Sequence, residues 1–132
     1  MLRELTKEEV LGFLSANYPQ YKVTSDPFEK YLGYIDGTLA GLITYSIIYE
    51  RAEINYICVK EDKKRKKIGS RLLETTLGIM EDYGCDNVSL EVNENNKGAI
   101  NLYKKFGFEE KAVREKYYDG ENALLLDRKL GD

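Results

Sequence analysis

Two segments of this 132-residue chain carry residue types at spacings that suit chemistry. The first is a basic turn ending on glycine, Lys63-Lys64-Arg65-Lys66-Lys67-Ile68-Gly69-Ser70. Cations followed by a glycine at a helix start suit a polyanion, because free backbone amides and the positive end of the helix dipole converge there. The second runs from Leu90-Glu91-Val92 through Asn96, Ala99 and Ile100 to Leu102-Tyr103 and Gly107-Phe108, and it sets a carboxylate and a phenol on adjoining elements. Such a pair suits proton removal at one atom and proton donation at another.

The chain has no histidine. That removes Ser-His and Cys-His nucleophile pairs, His-ligated zinc and every imidazole base, and leaves carboxylate, phenol, amine or thiol chemistry. A net charge of -3 and a pI near 5.2 argue against a general nucleic-acid binder. The run of cations from Lys63 to Lys67 therefore reads as a local site.

The elements that must hold these residues follow from pattern. With 42% hydrophobic and 33% charged residues, residues 1–132 fit one globular domain that hides roughly two thirds of its unfolded surface without disulfide or metal staples. No stretch has the eighteen or so apolar residues needed to cross a bilayer, and Met1 to Glu9 lacks a secretory h-region, so the expected location is the cytosol.

Leu2 to Leu5 suits a short strand, and Thr6 caps a helix over Lys7 to Ala16 with Glu8 and Glu9 in its first turn. Asn17 to Phe28, broken by Pro19 and Pro27, predicts an irregular excursion or a short helical turn. Lys30 to Ile35 and Thr38 to Tyr49 are β-rich and meet at Asp36-Gly37, a type I′ hairpin signal, and Arg51 to Lys60 supplies an antiparallel partner.

Ile68, Leu72, Leu73, Leu77 and Met80 recur at helical spacing until Gly84. Asn87 to Val92 reads as a buried strand, and Asn96 caps a helix with Ala99, Ile100, Tyr103 and Phe106 inward. Phe108 to Tyr118 and Asn122 to Lys129 form a last hairpin turning at Asp119-Gly120. The predicted order is β-α-β-β-β-α-β-α-β-β, an α/β layer with a mixed sheet.

A strand, a basic turn, a helix, a strand and then the frame N-x-x-A-I-x-L-Y-x-x-x-G-F, here Asn96 to Phe108, resemble the Gcn5-related N-acetyltransferases over most of the chain after about Leu32. Leu90-Glu91-Val92 with that frame, and Tyr117-Tyr118-Asp119-Gly120-Glu121-Asn122-Ala123, resemble the RimI-type branch, which acetylates protein N-termini. The resemblance implies a mostly antiparallel mixed sheet flanked by helices, with its central parallel strands splayed. It further implies acetyl-CoA as co-substrate, no metal, and a protein or peptide N-terminus, including that of a ribosomal protein, as acceptor. No nucleic-acid or membrane partner is implied, and the protein is expected as a monomer or homodimer.

Coenzyme A carries a pyrophosphate and a 3′-phosphate, and residues 65 to 70 offer both amides and cations to them. Amides of Ile68, Gly69 and Ser70 suit the pyrophosphate, while Arg65, Lys66 or Lys67 suits the 3′-phosphate. Ile57, Cys58 and Val59 end the preceding strand, where an open edge can pair with pantetheine amides as an added strand would. Lys64 stands where the family carries Arg or Gln, and Lys67 where it carries its first glycine. Lys67 is tolerable if its backbone is right-handed. A solvated charge run or a nucleic-acid patch is the plain alternative for this turn.

Acetyl transfer needs a neutral amine, a held oxyanion and a departing thiolate of pKa near 8.5. In the family frame Tyr103 matches the donor to that sulfur and Glu91 the base, directly or through water. A core aromatic and a salt-bridged strand carboxylate are the alternatives. Asn96 matches the family asparagine near the pantetheine arm and also serves as a helix cap. Tyr117 and Tyr118 point to opposite faces, so at most one enters the acceptor groove the family lines here. An α-amine, with pKa near 8, is neutral far more often at pH 7 than a lysine amine, which favours N-termini. A lysine or small-molecule amine as acceptor, and a non-catalytic coenzyme A-binding or interaction module, remain open.

Overall fold

The computed structural model describes residues 1–23, 26–64, 66–118 and 120–131, and for residues 116–118 the backbone alone. Its elements are β1 (Leu2–Glu4), α1 (Lys7–Asn17), β2 (Glu29–Asp36), β3 (Thr38–Ile48), β4 (Arg51–Val59), α2 (Ile68–Asp82), β5 (Asn87–Asn93), α3 (Lys97–Lys105), β6 (Glu109–Tyr118) and β7 (Glu121–Lys129). The order is the one the sequence predicts, with a 3-10 turn at Glu61–Lys63 that it does not.

Local chemistry sets the ends of the helices. Thr6 Oγ1 accepts from the Glu9 amide at 3.2 Å while Glu9 Oε1 accepts from the Thr6 amide at 3.0 Å, a reciprocal cap that starts α1. The described residues between α1 and β2 form turns, with the Tyr21 amide donating to the Tyr18 carbonyl at 3.0 Å. Left-handed Gly84 follows α2 and left-handed Gly107 follows α3. The β2–β3 hairpin departs from type I′. Only Gly37 has positive φ there, and Ile35 and Asp36 pair with Leu39 and Thr38 after a register shift beside Tyr34. The extra residue, Ala40, absorbs the twist that a second left-handed residue would otherwise supply.

The strands form one sheet, β1-β2-β3-β4-β5-β7-β6. Strand alternation gives it two apolar faces. On one, Ile43, Tyr45, Ile54, Val88 and Leu90 pack against α2 and the inner residues Ile100 and Tyr103 of α3. On the other, Leu42 and Cys58 pack against Val10, Phe13 and Leu14 of α1.

The feature that creates a site is the break between β4 and β5, the parallel pair. They pair only from Arg51↔Asn87 to Ile54↔Leu90. Past that point β4 stays with β3 as far as Val59↔Gly41, and β5 stays with β7 as far as Asn93↔Ala123. The divergence begins at a bulge in β4, where Asn55 is the residue left without a β3 partner between Tyr45↔Ile54 and Thr44↔Tyr56. A bulge bends its strand and tightens its twist, so β4 turns away from β5 there.

Candidate active site

The splay opens a cleft of about 510 Å³ between the end of β4, the start of α2 and the start of α3. Ile57 and Val59 line it from β4, and Lys63, Lys64, Lys67, Ile68, Gly69 and Ser70 from the basic turn. Asn96, Gly98, Ala99 and Leu102 close the α3 side. The Lys67 side chain makes no capping hydrogen bond and the first turn of α2 holds no acidic residue. The first amide bonded back into the helix is that of Arg71, to the Lys67 carbonyl at 3.1 Å. The three amides before it, of Ile68, Gly69 and Ser70, make no hydrogen bond to the described residues and sit at the helix's positive end.

A Cβ placed on Gly69 would come within 3.3 Å of Leu102 Cδ2, so the two helices pack closely at this point of the cradle. Donors, cations and cradle together fit the phosphates of coenzyme A.

Lys67 departs from the sequence expectation. Its φ of 60° and ψ of 24° are left-handed, so this lysine holds the conformation that the glycine of the family pattern adopts without strain. Two of its neighbours are tethered. Lys63 Nζ lies 3.3 Å from Asp36 Oδ2, and Lys64 Nζ lies 2.9 Å from Glu61 Oε2 and 5.9 Å from the centroid of the Tyr18 ring. Lys66 is exposed and does not line the cleft, and Arg65 lies outside the described residues.

Cys58 does not line the cleft either. Alternation along β4 turns its side chain into the α1-side core, 2% exposed, and burial pushes its thiol up to about 12. A thiol so protonated is a poor nucleophile.

A second cleft, of about 920 Å³, lies on the α1 face. Gln20, Tyr21 and Lys22 form one wall, Glu53, Asn55, Tyr56 and Glu91 contribute to the floor, and Lys111, Leu125 and Asp127 form the far side. Glu91 sits here because Val88, Leu90 and Val92 face the α2 core and the residues between them face away. Its Oε1 meets Arg114 Nη2 at 2.8 Å. Lys111 and Asp127 make a looser pair at 3.8 Å.

Tyr21 lines both clefts, stacking on Tyr56 at 4.7 Å with 11° between the planes and meeting Tyr18 at 5.7 Å. The Tyr18 hydroxyl donates to the Val59 carbonyl at 2.5 Å, on the β4 stretch that β5 leaves unpaired.

Tyr103 lines neither cleft. Its ring packs on Phe108 at 5.4 Å and the residue is 4% exposed. Burial drives its phenol well above the usual tyrosine range, and the Tyr21 hydroxyl and Cys58 thiol within electrostatic reach push the same way. The phenol thus remains protonated across the working pH range. The sequence places Glu91 and Tyr103 on adjoining elements, whereas the fold puts them on opposite faces of β5.

Asn96 accepts from the Ala99 amide at 3.3 Å, its capping role. The backbone at Tyr117 and Tyr118 ends β6, and their side chains lie outside the described residues. Tyr18, Tyr21, Glu53, Asn55 and Tyr56 line the clefts without having been singled out in the sequence. Polar and aromatic residues in the α1-facing register of β4 were the available signal.

A phosphate-suited cleft meets a second, carboxylate-lined cleft at one tyrosine, an arrangement with room for two substrates side by side. Residues 2–108 match the acetyltransferase (GNAT) family, and the chain belongs to that family. It is 34% identical over 131 residues to an N-alpha-acetyltransferase of Sulfurisphaera tokodaii, covering 86% of this chain and 78% of that protein. It is 32% identical over 109 residues to the ribosomal protein bS18-alanine N-acetyltransferase of Escherichia coli K12, covering 77% and 74%.

Among solved structures, the ribosomal-protein-S18-alanine N-acetyltransferase of Escherichia coli shares the fold with a TM-score of 0.87 at 22% identity, covering 100% of this chain and 94% of that one. Ard1 from Thermoplasma volcanium does so at 0.80 and 24%, covering 100% and 98%. Among the described residues no helix is long and apolar enough to cross a membrane.

Proposed function

We propose that the chain transfers the acetyl group of acetyl-CoA to the α-amine of a protein or peptide N-terminus, such as that of a ribosomal protein, by direct transfer between two bound substrates. The observation that carries this reading is that Tyr21 lines both clefts, beside the stretch where β4 departs from β5. An acyl carrier in the first cleft and an amine in the second then face each other. The names of the relatives support the N-terminal acceptor, and the open groove between residues 20–22 and β7 suits a chain end.

In this reading the amides of Ile68 to Ser70 and the lysines Lys63, Lys64 and Lys67 hold the phosphates, with Lys66 beyond the cleft adding positive field. Glu91, directly or through water, takes the proton of the acceptor amine as its nitrogen bonds to the acetyl carbonyl carbon. Collapse of the tetrahedral adduct breaks the carbon–sulfur bond, and the Tyr103 hydroxyl, buried in the core but within electrostatic reach of Tyr21, which lines both clefts, donates to the departing sulfur. Because the phenol's pKa lies far above a thiol's, near 8.5, Tyr103 serves chiefly as a hydrogen-bond donor that stabilises thiolate. Arg114 keeps Glu91 in place between turnovers.

The carboxylates of Glu53, Glu91 and Asp127 on the second cleft also favour small cationic amines, so polyamines belong in the assay beside peptides. With acetyl-CoA and peptides beginning with Ala, Ser or Met, mass spectrometry should find one acetyl group on the α-nitrogen. Tyr103→Phe should lower kcat about a hundredfold, the scale of one acid–base group, with little change in coenzyme A binding. Wild-type activity in Tyr103→Phe would remove its role, product on lysine or polyamine nitrogens alone would replace the acceptor, and binding without turnover would leave a non-catalytic module.

A further inference from the structure

Glu29 is a carboxylate that the chemistry above does not use, and it is only 8% exposed. It opens β2, pairs with Ser46 of β3, and through that strand lies on the same sheet face as Glu53 of β4. Both of its oxygens hold donors. Tyr31 Oη donates to Oε1 at 3.2 Å, and Asn55 Nδ2 donates to Oε2 at 2.5 Å. Asn55 is the bulge residue at which β4 leaves β5, and it lines the second cleft.

A carboxylate accepts and does not donate, so it holds the Asn55 amide in one orientation, nitrogen toward Glu29. The amide's other end, Oδ1, is turned away from Glu29, and Asn55 lines the second cleft. We propose that Asn55, locked by Glu29, forms a binding subsite whose fixed carbonyl accepts hydrogen bonds from the nitrogen end of the acceptor, its α-ammonium or first peptide N–H. The inference rests on the proposed function and deepens it.

An amide oxygen suits this place better than a carboxylate. A carboxylate against the ammonium would favour its charged, unreactive form, whereas a neutral carbonyl orients the nitrogen and leaves proton removal to the base. Asn55 is thus a binding residue and Glu29 a positioning residue. Glu29 fixes which end of the amide the acceptor meets, at a bulge that would otherwise let the side chain turn.

The test is peptide kinetics on the whole protein with saturating acetyl-CoA. Glu29→Gln, which lets the amide turn, and Asn55→Ala, which removes it, should each raise the peptide KM about tenfold, one hydrogen bond's worth, while kcat and coenzyme A affinity stay within about twofold. The double variant Glu29→Gln/Asn55→Asp restores the pair with the donor reversed: the introduced amide donates to one oxygen of the introduced carboxylate and leaves the other facing the cleft. It should recover KM to within about threefold of wild type, as coupled partners do in a double-mutant cycle, while its carboxylate against the ammonium lowers kcat at pH 7.

A peptide KM unchanged in Asn55→Ala overturns the subsite. A double variant whose KM is no better than that of Glu29→Gln alone, or losses that fall equally on kcat and coenzyme A affinity, overturn the positioning role and mark Glu29 as structural. Should Glu29→Gln fail to fold, Asn55→Ala decides alone. A wild-type protein that acetylates no amine is a different outcome, which sinks the proposed function and this subsite with it.

Discussion

Replacing Lys67 by glycine should make the ligand-free protein more stable even though it deletes a charge and a side chain. Lys67 has a φ of 60°, and its side chain makes no capping bond that would be lost. An L-residue held left-handed costs about 1–2 kcal/mol, and the greater freedom of glycine in the unfolded chain takes back roughly 0.5–1 kcal/mol. The net gain of roughly 0.5–1 kcal/mol raises Tm by about 2–4 °C in a domain of this size.

Two controls separate strain from charge. Lys66 has no positive φ, so Lys66→Gly removes the same charge without relieving strain and should leave Tm unchanged or lower. Lys67→Ala keeps the left-handed L-residue and should not gain. Differential scanning calorimetry without coenzyme A is the assay, because bound ligand would add its own stabilisation. Equal shifts in Lys67→Gly and Lys66→Gly, or a fall in Tm for Lys67→Gly, would refute the reasoning.

Two further outcomes follow from the surface and the core. Arg3 Nη2 sits 2.7 Å from Glu9 Oε2, and hydrogen bonds from Arg3 and from the Thr6 backbone hold the Glu9 carboxyl down at about 2. A depressed carboxyl contributes stability that is present above its unfolded pKa near 4.5 and is lost as pH falls toward 2. Arg3→Gln should therefore lower the urea midpoint slightly at pH 7, flatten its fall between those pH values and leave it unchanged near pH 2, a small effect that salt erases. A large loss at pH 7 would count against this account. Cys58 and Cys85 are both buried, with thiols raised by burial, Cys58 to about 12. At pH 8 roughly one Cys58 in ten thousand is thiolate, so a disulfide reagent should label the native protein slowly and reach both cysteines only in urea. Rapid labelling of folded protein at that pH would show an open thiol.

Much of the molecule is legible in the sequence because its signals are local. The helical spacing from Ile68 to Met80, the Thr6 and Asn96 caps and Gly84 and Gly107 each act within a few residues, and the element order follows from them. The absence of histidine confines the chemistry whatever the fold. The cofactor side is also readable, since a basic turn leading into a capless helix start is one continuous segment. The Asp36-Gly37 turn escapes such a reading because its twist is shared with a bulge at Ala40, which no dipeptide signals.

Tertiary structure alone decided the rest, because it depends on partners far apart in the chain. The parting of β4 from β5 after Ile54 and Leu90 depends on pairing with β3 and β7, and it makes two clefts where the sequence suggested one site. It turns Cys58 into a core, puts Glu91 and Tyr103 on opposite faces, and stacks Tyr21 on Tyr56. Even the handedness of Lys67 belongs here, since a lysine remains left-handed only where the surrounding fold outweighs the strain.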